Sequence, residues 1–181
     1  MVCNYCGQTS LINAETLEAL GEKQLLIDYG SAFQIGKSGK FGKRDFLVLG
    51  RLRYEYEDGF WDEWYIQFLD DGATGWVQED DGSFVMFEKE IPLDNPISLT
   101  RVNVGNSYDY GGEWNNVFIT AKNKARIQGG EGELPFRVIP GEQADFIDGI
   151  WNGKVLSIEI IPEGQFMFVG TPFHLKEIEL A

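Results

Sequence analysis

Between Phe41 and Glu90 the chain runs through four short segments of alternating apolar and polar residues, punctuated by Asp58-Gly59, Asp71-Gly72 and Asp81-Gly82. A period of two is what a half-buried antiparallel strand requires, because successive side chains point to opposite faces. Asp-Gly steps supply the backbone angles of tight hairpins. The stretch therefore predicts a β-meander with strands at 46–57, 61–69, 75–79 and 84–88, able to curl into a small barrel. Read by parity, Phe46, Val48, Gly50, Leu52, Tyr54 and Tyr56 form a core face, and Arg51, Arg53, Glu55 and Glu57 a solvent face. Trp64, Ile66 and Phe68 join the core, while Trp61, Glu63 and Tyr65 fall on the opposite parity.

The rest of the chain reads in the same way. Residues 1–22 form a head with Cys3 and Cys6 and a short helix over Asn13–Leu20, capped by Asn13 and ended by Gly21. A first strand is expected at Gln24–Asp28. The glycines and lysines of 36–43 mark a hairpin loop; they lack the Gly-Lys-Ser/Thr ending of a phosphate-binding loop. The first meander occupies 23–90, and residues 91–116, with Pro92 and Pro96, read as a connection. A second meander follows over 117–181, with strands expected at 117–121, 124–128, 136–139, 144–148, 154–161, 166–169 and 174–180. Gly129 to Pro135 punctuates it as a turn, and Asn152-Gly153 signals a hairpin. The fold class expected is mainly β: two antiparallel meanders in barrel-like or sandwich units, packed as one compact body, with at most one short N-terminal helix.

Charge narrows the function. Among 181 residues there are 29 acidic and 15 basic side chains, a formal charge of −14. Such a chain repels phosphate backbones, so nucleic acid is excluded as the main partner, and cations, polyamines or basic protein surfaces fit better. No apolar run is long enough to span a bilayer, so no membrane insertion is expected. The sequence Met-Val-Cys-Asn-Tyr-Cys-Gly lacks the basic and apolar segments of a signal peptide. A cytoplasmic protein is expected, in which Cys3 and Cys6 are thiols or metal ligands.

Several segments carry a resemblance. Phe33-Gln-Ile-Gly36, Phe46 to Tyr54, Trp61-Asp-Glu-Trp-Tyr65, Gly75-Trp-Val77, Glu131-Gly-Glu-Leu-Pro-Phe136 and Phe168-Val-Gly170 occur here in order. In these the chain resembles the bacterial family of domains of unknown function numbered 4178, over about residues 30–181. Many members carry two Cys-x-x-Cys-Gly knuckles of a zinc ribbon ahead of this domain; here only Cys3-x-x-Cys6-Gly7 is present. The resemblance implies no defined activity. It associates such domains with membrane-stress and polyamine-related systems.

Four groups of residues are candidates for chemistry. Cys3 and Cys6 have half the ligands of a tetrahedral zinc site, which two chains can complete by pooling their knuckles in a homodimer; otherwise they are free thiols. His174 is the lone histidine, with no nucleophile motif beside it, and reads as structural. Glu131, Glu133, Asp145 and Asp148 are a candidate carboxylate cluster for a hard cation or a polyamine, against the plainer reading of a solvated glycine-rich turn. Trp61, Glu63 and Tyr65 form a candidate partner surface, an aromatic face edged with acid. No catalytic residue is assigned. The leading expectation is a non-enzymatic interaction module with a protein partner, in a bacterial stress or envelope-associated system. The alternatives are a binder of cations or polyamines and an enzyme of unrecognised type.

Overall fold

A computed structural model describes residues 8–12, 17–23, 26–93, 97–111, 114–162 and 164–180. The first strands are β1 (Gln8–Ile12), β2 (Leu17–Lys23), β3 (Ser38–Phe41), β4 (Arg44–Tyr56), β5 (Gly59–Phe68), β6 (Thr74–Asp80) and β7 (Ser83–Pro92). A short 3-10 turn at Leu99–Arg101 precedes β8 (Ser107–Tyr108), β9 (Val117–Asn123), β10 (Ala125–Gly132), β11 (Asp145–Trp151), β12 (Lys154–Ile161), β13 (Gly164–Phe173) and β14 (Ile178–Leu180). Strands β1 and β2 pair as a separate two-stranded sheet. The helix expected over Asn13–Leu20 is corrected by this pairing: Leu17–Leu20 lie in β2, and residues 13–16 lie outside the described residues. Two turns of isolated helix are too short to hold against strand pairing.

The remaining twelve strands form one antiparallel sheet, in the order β14-β3-β4-β5-β6-β7-β13-β12-β11-β9-β8, with β10 on β4. The mainly β expectation holds, but the two halves of the chain share this sheet. Strand β13 pairs with β7, and β10 with β4. The barrel expectation is corrected, because the sheet does not close and β14 and β8 stand at its two ends. One edge of β4 is divided between partners: Arg44–Leu47 bonds to β3 and Gly50–Tyr56 to β10.

Tight hairpins form where the sequence asks for them. Asp81 (φ 43°) and Gly82 (φ 77°) make the turn between β6 and β7, and Asn152 (φ 49°) and Gly153 (φ 76°) that between β11 and β12. The β4–β5 turn is Glu57-Asp58, one residue earlier than expected. The Gly129–Gly132 segment, expected as a turn, is strand; Phe136–Ile139 is irregular. Ile27 and Asp28 belong to an irregular segment rather than a strand, and only Ile178–Leu180 of the last expected strand is β.

The most consequential difference is a β-bulge in β4. Opposite β5, Val48 pairs with Ile66 and Gly50 with Tyr65, so Leu49 is extra. One inserted residue exchanges the faces of everything beyond it. Phe46 and Val48 therefore face one core with Phe33, Trp64, Ile66, Phe68, Phe84 and Met86. Leu52 and Tyr54 face a different one, with Trp61, Ala125, Ile127, Val138 and Ala144. A third cluster joins β9, β11, β12 and β13 through Ile119, Ile147, Leu156, Ile158 and Met167.

The same bulge overturns the solvent face predicted for Arg51 and Arg53, which are 3% and 1% exposed. They lie on the Trp64 side and close on Asp62: Arg51 Nη2 and Arg53 Nη2 reach Oδ2 at 2.7 and 2.6 Å. The segment 26–33 straps over them. Its Ile27 carbonyl accepts from Arg53 at 2.9 Å, and Tyr29 stacks on Phe60 at 4.8 Å, both rings lying against the Arg53 guanidinium. Phe33 then anchors the strap in the first core, 5.9 Å from the Trp64 ring. Among the described residues no helix is long and apolar enough to cross a membrane.

Candidate functional site: a carboxylate cavity

On the other face of the β4–β5 hairpin, side chains of both halves of the chain enclose a cavity of about 190 Å³. Strand parity dictates who enters it. Trp61 and Glu63 point in from β5, and Gln78 and Asp80 from β6. Phe146 and Asp148 enter from β11, Ser157 and Glu159 from the paired positions of β12. Tyr56 of β4 and Ala121–Asn123 of β9 complete the lining.

The wall is aromatic. Trp61 stacks on Tyr54 at 4.7 Å and meets Phe146 edge-on at 5.0 Å, and Tyr56 meets Phe146 edge-on at 6.3 Å. The floor is acidic. Glu63 Oε1 accepts from Trp61 Nε1 at 3.0 Å, and Asp148 Oδ1 accepts from the Ser157 hydroxyl at 2.7 Å. Glu159 lines the cavity with them.

Burial dominates the electrostatics, since removal from water disfavours the charged form. It pushes Glu63 up to about 7; the Trp61 donor opposes the shift and the Asp148 charge adds to it. Burial holds Glu159 well above the usual carboxylate range, reinforced by Glu63 and Asp148. Asp148 is pushed up to about 6 by burial, against its Ser157 hydrogen bond, and Asp80 is raised by burial and by Asp81. Among the described residues no arginine or lysine forms an ion pair with Glu63, Asp148 or Glu159. Lys122 lines the cavity, but its ammonium donates to the carbonyls of Leu99 and Val102.

The candidates read from the sequence are distributed as follows. Trp61, Glu63 and Asp148 come together in this cavity. Tyr65 lies outside it, half-buried against Trp76 at 4.8 Å. The four carboxylates Glu131, Glu133, Asp145 and Asp148 do not converge. Glu131 accepts from the Leu26 amide at 2.9 Å and stands 4.0 Å from Arg51. Glu133 is exposed. Asp145 is buried and accepts from Gln143 Nε2 at 2.8 Å. Asp145 and Asp148 are three positions apart, an odd offset that puts them on opposite faces of β11. His174 is exposed, and its backbone amide donates to Glu177. Cys3 and Cys6 lie outside the described residues. Among the described residues no three histidine, cysteine or acidic side chains are grouped to hold a metal ion.

Sequence reasoning missed Glu159, Ser157, Asp80 and Phe146. One signal was available: Glu159 is an acid inside the apolar run Val155–Ile161, where a solvated residue is out of place.

Across residues 34–174 the chain matches the family described as a domain of unknown function, DUF4178. It belongs to that family. No curated protein and no solved structure matches it. Every cavity residue named above falls within the DUF4178 match, whereas Cys3 and Cys6 precede it.

Proposed function

We propose that the chain is a non-enzymatic binding module whose carboxylate cavity takes the ammonium end of a small organic cation, a simple amine or a polyamine. The observation that carries this reading is the meeting of Glu63, Asp148 and Glu159 with an aromatic wall in one cavity where, among the described residues, no basic side chain forms an ion pair with them. Aromatic faces and carboxylates together suit an alkylammonium group, which presents N–H donors at one end and apolar carbon at the other. With it goes the setting suggested by the family resemblance, a bacterial stress or envelope-associated system.

Calorimetry tests it. Butylammonium and spermidine are expected to give saturable heat at millimolar concentration near neutral pH, and Glu63→Gln to abolish it. Calcium chloride serves as the hard-cation control. Absence of heat from both amines sinks the reading.

A protein partner is the second reading, favoured by Tyr65, Trp76 and Phe136. Their rings follow one another at 4.8 and 6.1 Å, and Phe136 is 45% exposed. Exposed aromatics of this kind are common anchors at protein interfaces. Native mass spectrometry of the chain, with metal analysis, tests for a dimer and for zinc shared through Cys3 and Cys6. A metal-free monomer at micromolar concentration rejects both.

A further inference from the structure

On the strap side of the β4–β5 hairpin lies a second, larger cavity of about 530 Å³, a size usual for ligand sites. Tyr29, Gly30 and Ser31 of the strap form one wall, and the buried Arg51 and Asp62 line it more deeply. The turns at Asp58-Gly59 and Asp81-Gly82 edge it, and all four of those residues are exposed, so the cavity opens to solvent between them. The deeper carboxylates are engaged. Both oxygens of Asp62 accept from the arginine pair, and Glu79 accepts from the Ser31 hydroxyl at 2.5 Å and the Trp64 indole at 2.9 Å. Arg51 differs. Its Nε–H is buried and has no acceptor among the described residues. Arg53 sets Nε and Nη2 together on Asp62, whereas Arg51 gives it Nη2 alone. A buried donor left without a partner is costly, and one that lines a cavity points to an acceptor brought from outside.

Two contacts within the chain show what this cavity recognises. The Ile27 carbonyl accepts from Arg53 Nη1 at 2.9 Å and from Arg51 Nη2 at 3.3 Å, so a peptide carbonyl already docks on the arginine pair. Tyr29 and Phe60 hold the Arg53 guanidinium 4.9 and 4.2 Å from their ring centres while staying 63% and 37% exposed. We propose that the cavity docks an extended, lysine- or arginine-bearing peptide segment of a partner protein, with a carbonyl on Arg51 Nε and cationic side chains at Asp58 and Asp81. Charge and donors select this occupant. The rim is acidic, and the chain carries −14, a field that steers basic partners toward it. The arginine charges are met by Asp62, with Glu131 4.0 Å from Arg51, so Nε asks for a neutral acceptor rather than an anion. A peptide bond supplies that acceptor and a basic side chain the cation; a simple amine or polyamine has no acceptor to give. The site does not depend on the amine reading above. Tyr56 and Asp80 line both cavities, but Glu63, Asp148 and Glu159 do not line this one.

Nuclear magnetic resonance of the wild-type chain with the capped peptide acetyl-Ala-Lys-Ala-Lys-Ala-amide tests this. The Arg51 Nε–H signal, assigned from its own backbone, is expected to move downfield and saturate as the donor gains an acceptor. The D58N/D81N chain is expected to bind the peptide about three- to tenfold more weakly, the loss of two exposed charge contacts. Asparagine accepts the positive φ of position 81, so the turn is kept. Spermidine is expected to leave the Arg51 signal where it is, and Glu63→Gln to leave the peptide's affinity unchanged. Peptide binding that does not move the Arg51 signal overturns the proposal, as does failure of the peptide to bind at millimolar concentration. Spermidine that moves the signal as far makes this an amine site and overturns the peptide. Loss of peptide binding in Glu63→Gln assigns the peptide to the carboxylate cavity and overturns docking at the strap.

Discussion

Arg53 grips Asp62 through a two-point contact, Nε to Oδ1 at 2.7 Å and Nη2 to Oδ2 at 2.6 Å, with both side chains buried. Arg51 adds a third bond to the same carboxylate. Removing Asp62 leaves the buried Arg53 without its anion and Arg51 with only Glu131, 4.0 Å away. Asp62→Ala is expected to destabilise the fold by about 3–5 kcal/mol, the usual cost of breaking a buried pair from one side. Urea denaturation measures this. The exposed cluster of Arg44 with Asp70, Asp71 and Glu88 provides the contrast, and Asp70→Ala is expected to shift the midpoint far less.

Stability should fall as pH rises through neutrality. Folding raises Glu63 to about 7 from an ordinary 4.5, and Asp148 to about 6 from 3.8, and it raises Glu159 as well. Between the unfolded and folded values the native chain holds protons that the unfolded chain has released. The contribution of these groups is thus complete in acid and is lost as pH rises through the folded values. The urea midpoint of the wild type is expected to drop between about pH 5 and about pH 8, and Glu159→Gln to flatten that drop. A midpoint that climbs over the same range contradicts the assignment.

Two glycines hold the bulge against the second half of the chain. A Cβ on Gly50 would run into the Glu133 carbonyl, and one on Gly132, at φ +74°, into the Leu49 carbonyl. These are backbone atoms, fixed by the Glu133 amide's bond to Leu49 O at 2.9 Å. Gly132→Ala is expected to cost about 1–3 kcal/mol from its backbone conformation alone, before the collision is counted. Thermal unfolding of Gly50→Ala and Gly132→Ala checks this, against Gly72→Ala, whose Cβ meets nothing within 4 Å. Gly72 also has positive φ, so the excess loss at Gly132 isolates the collision.

Ser157 donates to Asp148 Oδ1 at 2.7 Å and so favours its charged form. Ser157→Ala is expected to move Asp148 further upward in a carboxyl-carbon titration and to weaken butylammonium binding several-fold near pH 6. An unchanged affinity there removes Asp148 from the site.

Much of the strand pattern was legible because it rests on local chemistry. Asp81-Gly82 and Asn152-Gly153 turn where those pairs can adopt positive φ, and β5 keeps an unbroken register against β6, although Trp61 to Trp64 are buried on both faces. Parity failed at Leu49, because a bulge is stabilised by partners distant in sequence, Glu133 and Gly132. Counting by twos past that point sent Arg51 and Arg53 to solvent and merged two cores into one. Of the cavity, Trp61 and Glu63 were singled out as a partner surface and Asp148 as part of a carboxylate cluster with Glu131, Glu133 and Asp145, but nothing in the sequence joined the two groups. Their meeting with Glu159 depends on the joining of β13 to β7, which no local pattern announces.

Strand β4 is finished by residues 125–132, β7 by residues 164–173, and β3 by Ile178–Leu180. A ribosome releasing this chain delivers those partners long after the strands that need them. Until they arrive, β4 and β7 each present an open edge, and the Leu52 and Tyr54 side of the sheet lacks its covering residues Ala125, Ile127 and Val138. Such long-range closure slows folding and leaves open edges prone to pairing with other nascent chains. The single shared sheet thus makes the order of synthesis part of the folding problem, with the carboxylate cavity among the last features to form.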